Sequence, residues 1–288
     1  MARKVRIGNR WVGEKESVFV VAEIGINHNG DLQLVKALVD AAKDAGADAV
    51  KFQKRTVELV YTPEELARPR ENPFGPTNGD LKRGLELDFE EYLEIDRYCK
   101  EKEILWFASS WDERSVDFIA HFDVPCYKIA SALLTHDALL RCHQTKRKPI
   151  ILSTGMSTME EIRHAVDILG LDDLILLHCT STYPSKPEEL NLQMIQTLKN
   201  EFDCPIGYSG HEVGLATTIA AATLGARLIE RHITLDRSMW GSDQAASVEP
   251  QGFKHLVKDI RLIEKARGDG VKQVYESERP ILEKLRRS

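Results

Sequence analysis

At 288 residues, with 42% hydrophobic and 29% charged side chains, the chain is globular in composition and long enough for one large domain. Its formal charge of -6 withholds the basic footprint that a nucleic-acid partner requires, and no window approaches eighteen consecutive apolar residues, so no membrane span is expected. The start carries Arg3, Lys4, Arg6 and Arg10 without an apolar stretch behind them, and the five cysteines are odd in number and never paired as C-x-x-C, so a cytoplasmic protein with reduced thiols is the expectation.

In chain order, Val5–Ile7 and the pair Trp11, Val12 flank Gly8 and Asn9, which predicts a hairpin covering the N-terminal mouth of the domain. Short apolar, β-branched runs then alternate with longer amphipathic stretches. The runs are residues 18–24, 49–52, 105–108, 126–129, 150–153, 174–178, 205–208 and 228–232. The helical patterns between them are 32–45, 89–102, 113–122, 137–144, 159–169, 191–201, 214–224 and 252–267. Ser157 or Thr158 ahead of Glu160 and Glu161 signals a helix start, and Gly46, Gly170 and Gly225 signal stops. Eight strands, each followed by a helix, are the rhythm of an α/β fold of the (β/α)₈ TIM-barrel kind. One domain is therefore expected over 1–288: a β-hairpin in 1–16, the barrel in 17–268, and an extension in 269–288 with a short helix near 277–287.

Two segments stand outside this rhythm. Residues 54–88 contain Pro63, Pro69, Pro73 and Pro76 with little periodicity, and a connection of that length after the second strand would lie over the C-terminal face as a substrate-covering loop. The basic run Lys146, Arg147, Lys148 reads as a solvated loop before a strand.

The polar residues that end the strands should meet at one face. They are Glu23, Asn27, His28 and Asn29; Lys51, Gln53 and Lys54; Ser109 and Ser110; Lys128 and Ser131; Ser153 and Thr154; His178, Thr180, Ser181 and Tyr183; Ser209 and His211; Glu230 and His232. Lysines inside apolar strands are costly to bury unpaired, so Lys51 and Lys128 point either to an anionic ligand or to ion pairs with Glu23 or Glu230. His211 and His232 end neighbouring strands and could share a divalent cation, or could simply be hydrogen-bonded barrel histidines.

Ala22-Glu23-Ile24-Gly25-Ile26-Asn27-His28-Asn29-Gly30 resembles the opening strand of the sialic acid synthase family. The likeness continues in order through Lys51-Phe52-Gln53-Lys54, Lys128-Ile129-Ala130-Ser131, Leu152-Ser153-Thr154-Gly155-Met156 and His178-Cys179-Thr180-Ser181-Thr182-Tyr183-Pro184. It ends with Gly207-Tyr208-Ser209-Gly210-His211, Glu230-Arg231-His232-Ile233-Thr234 and Gly241-Ser242-Asp243-Gln244-Ala245-Ala246-Ser247, and it covers about residues 18–267. Asn72-Pro73-Phe74-Gly75 and Leu81-Lys82-Arg83 look like the family's loop block.

The resemblance implies a transferase that condenses phosphoenolpyruvate with a sugar aldehyde such as N-acetylmannosamine, giving a nonulosonic 2-keto acid and phosphate. It implies that His211 and His232 hold Mn²⁺ or Mg²⁺, and that Lys51, Lys128, Ser131, Ser153 and Ser209 bind phosphoenolpyruvate with Ser181 nearby. Glu23, Gln53, Tyr183 and Asp243 would take the sugar, with Glu23, Lys51, Lys128 and Asp243 the candidates for catalysis. A homodimer is implied as well.

Two departures qualify the resemblance. The family usually places an acid two positions after the serine matched by Ser131, where this chain has Leu133, so Glu23, Asp243 or His136 would have to move the proton. The expected barrel also lacks the family's C-terminal antifreeze-like domain, and Ser181 and Gln244 stand where bacterial members often carry asparagine and histidine. Two other readings remain: an octulosonate- or heptulosonate-phosphate-type synthase, with Lys54, Arg55, Lys82 and Arg83 forming a second anion site, and a non-catalytic sugar or phosphoenolpyruvate binder.

Overall fold

Eight parallel strands close on themselves in a computed structural model that describes residues 3–286. In barrel order they are Phe19–Gly25, Ala49–Lys54, Leu105–Ser110, Tyr127–Ile129, Ile150–Ser153, Leu174–Cys179, Ile206–Gly210 and Leu228–His232, each paired with its sequence neighbours and the eighth with the first. Their length and burial follow from composition, since an all-parallel sheet covered by helices needs apolar residues on both faces. In the first strand every residue from Phe19 to Gly25 is buried.

The helices sit where periodicity places them, and two of them, Leu32–Ala45 and Met159–Leu169, match to the residue. Asp31 caps the former and Thr158 the latter, in a reciprocal capping box with Glu161. Gly46 and Gly225 end their helices at φ of 85° and 106°, which an L side chain rarely adopts. The helix expected over 191–201 is shorter, Met194–Glu201, because Asn191 takes a positive φ of 41°. Lys146 and Lys148 pair with Asp117 and Asp123 on the surface.

The N-terminal hairpin forms from Val5–Ile7 and Arg10–Val12. Arg10 bonds Asp48 ahead of the second strand, Gly8 packs on Leu105 at the start of the third, and Arg3 bonds Asp172 and Asp203 ahead of the sixth and seventh. The hairpin therefore closes the N-terminal mouth and leaves the C-terminal face for chemistry. After the last barrel helix, Pro250–Ala266, a 3₁₀ turn Glu276–Glu278 leads into helix Arg279–Leu285; position 287 of the expected helix lies outside the described residues.

Residues 54–88 correct the expectation of an aperiodic loop. The segment folds as helices Val57–Val60 and Pro63–Ala67, a hairpin of Pro69–Asn72 with Gly75–Thr77, and helix Asn78–Gly84. Thr62 with Glu65 and Thr77 with Asp80 form capping boxes, so short-range hydrogen bonds order pieces too brief to show a hydrophobic period. The segment docks beside the first and eighth strands: the Phe74 and Trp240 rings are 6.4 Å apart, and a Cβ on Gly30 would lie 2.2 Å from the Gly84 carbonyl.

His143 sets a pH dependence of stability remote from the C-terminal face. It is wholly buried, its Nδ1 bonds the Leu139 carbonyl, and its Nε2 has no partner. Burial pulls its pKa down from 6.5 to about 4. The folded chain keeps this imidazole neutral while the unfolded chain protonates it, so its contribution is complete above pH 6.5 and is lost as pH falls towards about 4. His143→Phe should make that limb shallower by about 3 kcal/mol in urea unfolding measured across the range.

Candidate active site

Alternation along the strands decides which strand-end residues meet. Side chains on successive residues point to opposite faces, so every second residue enters the barrel and its neighbours turn outward to the helices and loops. Glu23, Lys51, Gln53, Ser109, Lys128, Ser153, Cys179, Ser209, His211, Glu230 and His232 line one cavity of about 170 Å³, joined by Ser131, Ser181 and Tyr183 from the loops.

The outward set braces the scaffold. Asn27 donates to the Ile233 carbonyl and to Ser247, each at 2.8 Å, and His28 accepts the Gly30 N–H. Lys54 bonds Glu86 and the Leu87 carbonyl, Thr154 donates to the Leu177 carbonyl, His178 bonds the Leu190 carbonyl, and Thr180 donates to that of Glu189. Ser110 is buried behind its strand, and Asn29 donates to the Trp240 carbonyl.

At the bottom of the cavity stand two buried ammonium groups and two buried carboxylates. Lys51 Nζ lies 2.8 Å from Glu23 Oε2, 3.0 Å from Ser109 Oγ and 3.7 Å from Glu230 Oε1. Lys128 donates to Ser153 Oγ at 2.7 Å and to the Ile129 carbonyl at 3.3 Å, with Glu230 Oε1 at 3.9 Å. Burial opposes each charge, but not equally. It wins at Lys128, whose pKa falls, and at Glu23, whose pKa rises. Glu23 and Glu230 outweigh it at Lys51, whose pKa rises, and the two lysines outweigh it at Glu230, which is held at about 2. The ion pairs weighed against a ligand in the sequence are thus present, yet four charges summing to zero line an open cavity that an anion can enter.

The neighbouring wall is made of hydroxyls, a thiol and a glycine. Ser131 Oγ accepts the Gly155 N–H at 3.0 Å and lies 3.4 Å from Cys179 Sγ, with Ser181 Oγ 3.6 Å beyond. A Cβ on Gly155 would lie 2.2 Å from Ser181 Oγ and 2.9 Å from both Cys179 Sγ and Ser131 Oγ, so glycine is required by space. Cys179 was missed in the sequence, where it read as a packed thiol; the inward register of His178-Cys179-Thr180 was the available signal. Trp111, held under Arg55 at 4.4 Å, and Met156 also line the cavity and carried no polar signal.

On the other side, the His211 and His232 rings are 5.7 Å apart. His211 Nδ1 bonds the Thr180 carbonyl at 2.8 Å, which turns Nε2 towards the Tyr183 hydroxyl at 3.0 Å. Burial lowers the His232 pKa to about 4 and keeps it neutral, the form that binds a metal; its Nδ1 is buried without a hydrogen-bond partner, 3.9 Å from Asp243 Oδ2. Burial also opposes a charge on His211, but Cys179 raises its pKa, and His211 lowers that of Cys179. No group of three or more His, Cys, Asp or Glu gathers round one point among the described residues. Two imidazoles fit a divalent cation that completes its shell with water and substrate oxygens rather than a closed structural site.

The remaining candidates separate. Gln53 donates to Glu23 Oε1 at 2.9 Å and is held by Arg55, so it belongs to the cavity wall. Asp243 stands behind His232 rather than in the lining. Leu133 packs on the core, and His136 accepts the Leu139 N–H as a helix cap, outside the cavity lining. Gln244 braces Thr234 and the Asn27 carbonyl. Of the basic set considered for a second anion site, Lys54 and Arg55 are paired with Glu86 and Arg83 with Glu58, while Lys82 lies over the Tyr61 ring. Residues 55–88 add nothing to the central lining; Arg70, Glu71, Leu81, Lys82 and Leu85 instead border a separate cavity with Asn29 and Trp240.

Fold and site define a barrel enzyme whose cavity sets a floor of buried lysines and carboxylates beside a pair of imidazoles. The NeuB family model matches residues 38–272, and the chain belongs to the NeuB family. It is 42% identical to an uncharacterized protein of Methanocaldococcus jannaschii, over 99% of this chain and 82% of that protein. Human N-acetylneuraminate-9-phosphate synthase is 40% identical over 97% of this chain and 79% of its own length. A crystal structure of N-acetylneuraminic acid synthetase from Leptospira borgpetersenii superposes with a TM-score of 0.88 at 33% identity, over 100% of this chain and 99% of that one. Among the described residues no helix is long and apolar enough to cross a membrane.

Gly155→Ala tests the anion wall. The added methyl displaces Ser181, Ser131 and the buried Cys179 thiol, so phosphoenolpyruvate binding measured by calorimetry should weaken by about tenfold or more, with a lower melting temperature.

Proposed function

We propose that the protein condenses phosphoenolpyruvate with an N-acetylmannosamine-like sugar aldehyde, giving a nonulosonic 2-keto acid and inorganic phosphate. The observation that carries this reading is the pair of buried lysines at one cavity floor, next to the two histidines, in a chain of this family. Two ammonium groups, three serine hydroxyls and a crowded glycine suit a ligand bearing both a carboxylate and a phosphate. Family membership supplies which such ligand it is.

Lys51 and Lys128 hold phosphoenolpyruvate, with Ser131, Ser153 and Ser209 supplying neutral contacts. Glu23, Gln53 and Tyr183 line the side where the acceptor enters, with Asp243 beside His232 at its edge. Fixing the two reactants in one confined cavity turns a bimolecular addition into a positioned one. His211 and His232 would hold a divalent cation, Mn²⁺ or Mg²⁺, which when bound polarises the aldehyde oxygen.

Carbon 3 of phosphoenolpyruvate attacks the aldehyde carbon, water adds to the cation left at carbon 2, and cleavage of the carbon 2–oxygen bond releases phosphate. Of the water's two protons, one leaves with the phosphate and the other must reach the alkoxide left on the aldehyde oxygen. With Leu133 in place of the family's acid and His136 committed to a helix cap, Glu23 is the lining carboxylate whose raised pKa suits it to carry that proton. A cytoplasmic homodimer completes the reading, its mass checked by light scattering.

Phosphate release from phosphoenolpyruvate with manganese should occur with N-acetylmannosamine or a related hexose and vanish in His211→Ala, His232→Ala. Release only with arabinose 5-phosphate or erythrose 4-phosphate would transfer the protein to the octulosonate or heptulosonate side. Tight phosphoenolpyruvate binding with no release from any sugar would make it a non-catalytic relative.

A further inference from the structure

Glu230 has no part in the condensation chemistry, yet it occupies the centre of the cavity floor. Its side chain is buried on the eighth strand, and one oxygen, Oε1, faces both ammonium groups, 3.7 Å from Lys51 and 3.9 Å from Lys128. Ser209 Oγ donates to the same oxygen at 3.0 Å, while Oε2 has no hydrogen-bond partner. Ser209, a neutral contact for the substrate, thus also fixes this carboxylate.

The two lysines differ in their other company. Lys51 has a second carboxylate, Glu23, in direct contact at 2.8 Å. Lys128 contacts only neutral oxygens, those of Ser153 and the Ile129 carbonyl, so the carboxylate nearest to it is Glu230. A buried ammonium without a counter-charge is unstable as a cation. A carboxylate in direct contact would stabilise it but would also occupy its proton and repel an incoming anion at short range. Nearly 4 Å is a compromise, because attraction falls only as the inverse of distance whereas a hydrogen bond is lost entirely. Of the three ammonium protons of Lys128, two go to Ser153 and Ile129 and one remains for a ligand.

We propose that Glu230 is the positioning residue of the anion site, holding Lys128 in place from a distance that leaves its third proton to the substrate's phosphate or carboxylate. This rests on the reading of phosphoenolpyruvate as the anion. The balance at Lys128 agrees with it: burial and the charge of Lys51 favour its neutral form, and Glu230 is the largest influence in the opposite direction.

The test compares Glu230→Gln, Glu230→Asp, Lys128→Met and the double variant Glu230→Gln, Lys128→Met, with manganese present. Glu230→Gln should raise KM for phosphoenolpyruvate about tenfold or more, with a smaller change in kcat and an unchanged KM for the sugar, and Glu230→Asp should recover part of the loss. The double variant should bind phosphoenolpyruvate no worse than Lys128→Met alone, because a residue that acts through Lys128 has nothing left to act on. Should Glu230→Gln alone fail to fold, the cycle is closed with Glu230→Asp and the double variant Glu230→Asp, Lys128→Met, whose losses must again fail to add.

An unchanged KM for phosphoenolpyruvate in Glu230→Gln, or losses that add in the double variant, overturns the proposal. Wild-type binding of phosphoenolpyruvate without turnover would remove the synthase reading and leave this one to be judged by the same variants through calorimetry. Absence of wild-type binding would sink both.

Discussion

Everything at the C-terminal face depends on four charges that a parallel barrel would not ordinarily bury. Lys51, Lys128, Glu23 and Glu230 replace apolar layers at the top of the strands, where side chains from alternate strands meet on the axis. Each ion costs several kcal/mol to remove from water, and apolar residues of equal size would make as good a core. Their presence is therefore a matter of function. They hold a preorganised field at fixed positions while the apolar layers beneath, from Phe19 to Ala22 and their counterparts, keep the strands rigid.

The same geometry explains how much could be read from the chain alone. Strand count, strand order and the convergence of Lys51, Lys128, Ser153, His211 and His232 follow from periodicity together with the rule that barrel strands present their C-terminal ends to one face. What was not legible is mostly a matter of phase. His178 and Cys179 are adjacent and only one can face inward; the polar residue drew attention and the thiol took the position. Asn27, His28 and Thr154 look like ligands in a list and act as struts, because a loop that carries a site needs its own backbone groups satisfied. Trp111 and Met156 carry no polar signature, and their entry into the cavity depends on loop paths that no period encodes.

The two sides of the cavity answer to different physical demands. The floor discriminates by charge and by hydrogen-bond count, and Gly155 shows how little room it leaves. The upper wall, formed by Gln53, Trp111, Met156 and Tyr183, is held by longer connections: Arg55 fixes both Gln53 and Trp111, and Tyr183 rests on His211. A floor of this kind suits a co-substrate common to many relatives, whereas a wall on loops suits the partner that varies.

The segment 54–88 extends that division outward. Two of its three helix starts are capped by its own residues and its hairpin is paired internally, while Asp112 holds Thr56 at the start of the third, so its order is only partly borrowed from the barrel. It meets the barrel at few places, among them Lys54 and Arg55 against Glu86, Gly30 against Gly84, and Phe74 against Trp240. Such a piece behaves as a cassette. It can shift or lengthen without disturbing the buried charges below, because none of residues 55–88 enters the central lining and what it reshapes is the separate cavity beside Asn29 and Trp240.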